Sequence, residues 1–189
     1  MNADKIVIGL TGMPGSGKSL VVVETARAEG YAVVVMGDVI REETRKRGLE
    51  LTPRSVGKVM LELRKEEGAN VIAQRCISKI KQQENRRIIV EGIRSLHEAE
   101  FFEAQLAHFS LVAVHSSPET RFHRLFNRGR SDDPDSWELF RERDLRELGV
   151  GIGSAISMAQ FMVINEGSVE EAKGKVKEVL RLVEEKWTT

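Results

Sequence analysis

The stretch Gly12-Met13-Pro14-Gly15-Ser16-Gly17-Lys18-Ser19 fills every fixed position of the pattern G-x-x-x-x-G-K-[ST]. Its flanks agree with it. Residues 5–11 before it form a short, nearly unbroken apolar run, the pattern of a strand buried on both faces of a parallel sheet, and Leu20-Val-Val-Val after it opens a helix. The glycines let successive backbone N–H groups turn toward one point, a nest that holds phosphate oxygens. The helix beginning near Lys18 adds the positive end of its dipole. Lys18 is expected to reach the outer phosphates, and the Ser19 hydroxyl to ligate Mg²⁺. Residues 12–19 are thus expected to bind ATP. The motif says nothing of what then happens to the phosphate.

Working outward, residues 31–36, 87–91, 109–115 and 161–165 are four further apolar runs read as strands, with Gly30 stopping the first helix. Helical stretches separate them. That alternation predicts an α/β fold of three layers, with a five-stranded parallel sheet between helices. Two segments exceed a minimal strand–helix–strand count. About residues 38–85 read as helical, with Thr52-Pro53 as an N-cap followed by proline in the first turn. Residues 121–146 carry arginine at 121, 124, 128, 130, 141, 143 and 146, no lysine, and interleaved carboxylates. Both are read as insertions on one domain spanning 1–189, the second narrowed to about 127–147.

Composition removes several alternatives. At 189 residues, the chain buries one sizeable core. Equal numbers of basic and acidic residues, 29 each, exclude bulk attraction to nucleic acid or to a membrane surface. Aromatic residues are 5% and no basic patch interleaves with them, which argues against an RNA-processing ATPase. The single cysteine, Cys76, excludes a disulfide framework and reads as a small buried hydrophobe. His97, His108, His115 and His123 lack metal-ligand spacing. There is no apolar run of membrane-spanning length and no apolar leader after Met1, so a cytoplasmic protein is expected. Val176, Val179, Leu180 and Val183 form one stripe on a last helix, residues 169–186, which Trp187 is expected to anchor.

Other segments bear a family resemblance. Gly37-Asp38-Val-Ile-Arg41 resembles the Gly-Asp-x-x-Arg of adenylate kinases, and Glu91-Gly92-Ile93-Arg94 their Asp-Gly-Phe-Pro-Arg, shortened by one residue. Arg124-Leu-Phe-Asn-Arg128 resembles the motif entering their lid; Arg130, Asp132-Asp133 and Arg141 resemble its return. Gly9-Leu-Thr-Gly12 and Val163-Ile-Asn-Glu-Gly-Ser168 look more like dephospho-coenzyme A kinase. As a whole the chain is similar to the archaeal P-loop proteins of the UPF0200 family, which are related to these kinases.

The resemblance implies Mg²⁺-dependent transfer of the ATP γ-phosphoryl group to a small phosphorylated acceptor, of nucleoside monophosphate or dephospho-coenzyme A type. The segment 38–85 becomes the acceptor-binding insertion and 127–147 a lid. Arg41 and Arg94 each follow a strand's C-terminal end, where ligands bind in open α/β sheets, and guanidinium forks there suit an acceptor phosphate. As solvated helix residues they would do neither. Glu91 stands where a carboxylate orients water on Mg²⁺. Asp38 is a second metal ligand, an acceptor contact or base, or else the N-cap of a helix over 39–48. Arg128, Arg130 and Arg141 are read as fingers on the transferring phosphoryl group and Arg124 as stacking on adenine. Alternatively, this arginine segment is an exposed face laced with ion pairs. Arg121, Arg143 and Arg146 are assigned to the surface. Residues 165–168 are expected to meet adenine through backbone atoms, and Glu98 stands where adenylate kinases read the base with glutamine. A rival class is a nucleotide-dependent switch acting on a protein partner without phosphotransfer. Monomer and homodimer both remain open.

Overall fold

The structure, a computed structural model, describes residues 5–130 and 133–188. The run before the phosphate loop is β1 (Ile6–Thr11), buried at every residue. It lies at the centre of the sheet, parallel to β3 (Arg87–Glu91) on one side and β4 (His108–His115) on the other. β2 (Ala32–Val35) extends the sheet beyond β3, and β5 (Phe161–Ile164) beyond β4, so the order is β2-β3-β1-β4-β5, parallel throughout. Side chains alternate between two apolar layers, as the two-residue period of a strand requires. Ile6, Ile8 and Leu10 face Val21, Val22 and Val23 of the helix after the phosphate loop. On the same side lie Ala172, Val176, Leu180 and Val183 of the last helix. Val7, Ile88 and Val90 face the opposite layer. The expected three-layer α/β arrangement is present.

Between β2 and β3 run α2 (Met36–Lys46), α3 (Pro53–Glu67) and α4 (Val71–Gln82). Val59 and Leu63 of α3, with Ile72, Cys76 and Ile80 of α4, are buried in the same layer as Val7 and Ile88, so these helices share the main core. Burial pushes the Cys76 thiol up to about 12, consistent with an inert hydrophobe. Thr52 caps α3 through the Ser55 N–H at 3.1 Å, and the Ser55 hydroxyl returns the bond to the Thr52 N–H. α2 departs from expectation. The chain passes from strand to helix without a loop, so the helix begins at Met36, and Asp38 sits inside its first turn instead of capping residue 39.

After β3 come α5 (Leu96–Gln105), β4, α6 (Pro118–Arg128), α7 (Trp137–Val150), α8 (Ile152–Ser157), β5 and α9 (Val169–Thr188). Trp187 anchors α9 to β4, donating its ring N–H to the Ser110 hydroxyl at 2.9 Å and stacking on His108. The turns leaving β1, β2, β3, β4 and β5 all emerge at the sheet's C-terminal edge. There the chain places residues 12–17, the start of α2, Gly92–Arg94, Ser116–Ser117 and Asn165–Ser168, so the phosphate loop and the segments after β2, β3 and β5 are delivered to one edge by topology.

Candidate functional site

Glycine is obligatory at two points of the loop 12–19. At Gly12, with φ +144°, an added Cβ would strike the Val114 carbonyl. At Gly17, with φ +92°, it would strike the side-chain amide of Asn165. Both positions thus demand a left-handed backbone and the absence of a side chain. The helix that follows starts as a π-helical segment, Lys18–Val23, and continues as α1 (Glu24–Ala28). Gly17 supplies no side-chain cap, which leaves the first N–H groups for an anion.

The loop is held from behind by its carbonyls. Asn165 Nδ2 donates to the Ser16 carbonyl at 2.9 Å, and the Ser116 hydroxyl approaches the same oxygen at 3.4 Å. Arg121 donates to the Pro14 carbonyl and to the Ser116 carbonyl, both at 3.2 Å. These bonds fix the peptide planes of the loop from outside it. Arg121, assigned to the surface by sequence, is 3% exposed. It forms a two-pronged pair with Asp144 of α7, at 2.8 and 2.6 Å, and its guanidinium lies over the Phe140 ring. The counter-charge comes from a different helix, so no local charge pattern reveals it.

Lys18 and Ser19 face the loop's mouth. The Lys18 ammonium donates to the carbonyls of Gly12 and Met13. Burial, and next the positive charge of Arg94, push its pKa down to about 8, while the carboxylates of Glu91 and Glu147 pull the other way. The Ser19 hydroxyl donates to a Glu91 carboxylate oxygen. Two hard oxygen donors expected around Mg²⁺ are therefore adjacent, and their chemistry fits that ion. Asp38 is bonded to Arg41 at 2.5 Å on the exposed side of α2, and not to Ser19 or Glu91. Among the described residues, no group of three or more His, Cys, Asp or Glu side chains is arranged around one point for a metal.

Arg94 projects from the turn after β3 and is paired with Glu147 of α7 at 2.7 Å. The turn is fixed by Glu98, which is fully buried, accepts the Arg94 backbone N–H at 2.9 Å and is neutralised by Arg64 at 2.8 Å. Glu98, which stands where adenylate kinases carry a base-reading glutamine, is a structural anchor of this turn. Ser95 caps α5 by accepting the Glu98 N–H at 3.2 Å.

Arg124 lies beside Asn165 at the end of β5. It donates to the Ser116 hydroxyl at 2.9 Å and to the Asn165 side chain at 3.4 Å. Glu166 accepts the Ser117 N–H and the Thr120 hydroxyl, and these bonds hold its carboxyl below its ordinary range. In the arginine segment, Arg128 and Arg143 converge on Asp133, whose carboxyl is nearly buried and depressed by Arg128 first. Arg130 contributes its backbone N–H to the same carboxylate, while the Arg130 and Arg141 side chains are exposed. Asp132 lies outside the described residues. The ion-paired face and the arginine cluster thus coexist. No helix among the described residues is long and apolar enough to cross a membrane.

A family model described as an AAA domain matches residues 11–141. A UPF0200 protein of Hyperthermus butylicus is 47% identical, covering 94% of this chain and 95% of that protein. One from Methanocaldococcus jannaschii is 49% identical, covering 93% and 89%. Among solved structures, shikimate kinase from Bacteroides thetaiotaomicron is similar with a TM-score of 0.63 at 16% identity, covering 95% of this chain and 98% of that one. The likeness to that kinase is one of fold.

Proposed function

The chain belongs to the UPF0200 family and has a kinase-like P-loop fold, and on that premise we propose that it is a phosphotransferase moving the γ-phosphoryl group of ATP to a small anionic acceptor of nucleotide type. The observation that carries this reading is the Ser19–Glu91 pair beside the phosphate loop, with Arg94 in the turn that follows Glu91, near enough for its charge to lower the Lys18 pKa. A binding module needs the phosphate loop alone. A second cation at the same sheet edge is what transfer between two anions requires.

In this reading the backbone of residues 12–19 and the Lys18 ammonium hold the triphosphate, with Arg124 and residues 165–168 at the base. Ser19 and Glu91 would hold Mg²⁺, which when bound offsets phosphate charge. Arg94 and Arg41 grip the acceptor, with Asp38 orienting Arg41 and the helices within 38–85 walling the subsite. Arg128, Arg130 and Arg141 belong to a lid over 127–147 that excludes water when both ligands are seated. The test incubates the protein with ATP–Mg²⁺ and, separately, AMP, CMP, UMP, GMP or dephospho-coenzyme A, with Lys18→Ala as control. ADP formed together with a phosphorylated acceptor supports the kinase. ADP formed equally without acceptor favours the nucleotide switch.

Two expectations belong here. Arg94→Ala should raise the acceptor KM by about tenfold to a hundredfold, the worth of a charge-assisted contact, with ATP affinity kept. Equal KM values measured by steady-state kinetics would remove Arg94 from the acceptor site. The second concerns pH. Phosphate binding favours the protonated Lys18, whose pKa near 8 must rise in the complex. ATP affinity should therefore be level below about 8 and weaken by up to about tenfold per unit above it. Titration calorimetry from pH 6.5 to 9.5, roughly bracketing that value, checks the slope.

A further inference from the structure

Of the carboxylates on the elements around the phosphate loop and Arg94, Glu98 is engaged by the Arg94 backbone N–H and by Arg64, and two others are engaged as well. Glu91 accepts the Ser19 hydroxyl, and Asp38 is bonded to Arg41 on an exposed turn. Glu147 differs. Its side chain is 13% exposed, its Oε1 accepts from Arg94, and its Oε2 is buried with no hydrogen-bond partner among the described residues. A buried carboxylate oxygen left without a donor is costly and calls for an explanation. Glu147 is also held firmly. It lies one turn beyond Asp144 on α7, and Asp144 is locked to Arg121 and through it to the Pro14 carbonyl of the phosphate loop.

Resting on the kinase reading and deepening it, we propose that Glu147 is the general base of the transfer, and that the group phosphorylated is a hydroxyl on a small anionic acceptor, not a phosphate. A phosphate nucleophile carries no proton that needs removing, so it gives a base nothing to do. A hydroxyl must give up a proton, and Glu147 Oε2 has the lone pair to take it. Arg94 gives one N–H to Glu147, and the rest of its fork remains for the acceptor's anionic group, which then sits beside this carboxylate. In the step, the acceptor oxygen forms its bond to Pγ as its proton passes to Oε2. The bond from Pγ to the bridging oxygen breaks, and its electron pair leaves with ADP. Glu147 then returns the proton to solvent.

The test uses the full chain with ATP–Mg²⁺ and the acceptor panel above, identifying the new bond by phosphorus NMR. It compares wild type with Glu147→Gln, a near-isosteric change that cannot accept the proton. A phosphomonoester product is expected, with the Glu147→Gln rate down about a hundredfold or more and its ATP dissociation constant within about twofold of wild type. A phosphoanhydride product, or a Glu147→Gln rate within about threefold of wild type, overturns this assignment and leaves the kinase standing. ATP bound but no acceptor phosphorylated by wild type removes the kinase reading and the assignment together.

Discussion

Lys18→Ala is expected to lower phosphoryl transfer by about a hundredfold to a thousandfold, the scale of losing one preorganised charge donor to a transition state. The effect is large because the ammonium is already stripped of water. It rests on the Gly12 and Met13 carbonyls with a pKa near 8, so no solvation has to be lost when phosphate arrives. Its effect on stability should run the other way. A lysine whose pKa falls on folding penalises the native state, fully so below the folded value and progressively less as pH rises toward the unfolded one. At neutral pH the alanine variant should thus melt no lower than wild type. A variant that stays active, or loses activity only because it unfolds, would contradict the role given to Lys18.

Arg121→Ala should cost about 3–5 kcal/mol, the usual result of removing one partner from a buried ion pair. Asp144 would keep its negative charge without the two-pronged partner, and the Pro14 and Ser116 carbonyls would each lose a donor. For a chain of this length the thermal midpoint should drop by about 10 °C. Arg121→Lys should recover little, because an ammonium cannot span both carboxylate oxygens and reach two carbonyls. Nucleotide affinity should weaken in both, since the loop's peptide planes lose a strut. Chemical denaturation gives the stability and calorimetry the affinity; a loss below about 1 kcal/mol would show that the pair is not needed.

What the sequence discloses and what it withholds divide along a physical line. The inner apolar runs are strands because a sheet buried on both faces leaves no polar alternation to confuse the reading, and the edge runs β2 and β5 stay apolar even where they are only partly buried. Residues 12–19 and the arginines just past strand ends are legible because chain order itself delivers them to one edge. Arg121, Glu98 and Glu147 are not. Each is defined by a partner on another element, Asp144, Arg64 and Arg94 respectively, and in sequence a buried pair looks like any two surface charges. The start of α2 is displaced for a smaller reason: Met36 and Gly37 read as a strand end and a turn, yet Met36 is buried and already helical.

The central place of β1 in the sheet has a consequence for how the protein comes into being. The segment carrying the phosphate loop is made first, yet its neighbours on both sides are made much later, since Ile6 aligns with Arg87 and with His108. The last brace, Asn165 on the Ser16 carbonyl, follows later still. A nascent chain emerging from the ribosome therefore has the motif without the receptor, and contacts this distant in sequence make assembly slow. On the proposed function, nucleotide would meet a competent receptor only after these later segments are in place, and its binding would then draw the folding equilibrium toward completion.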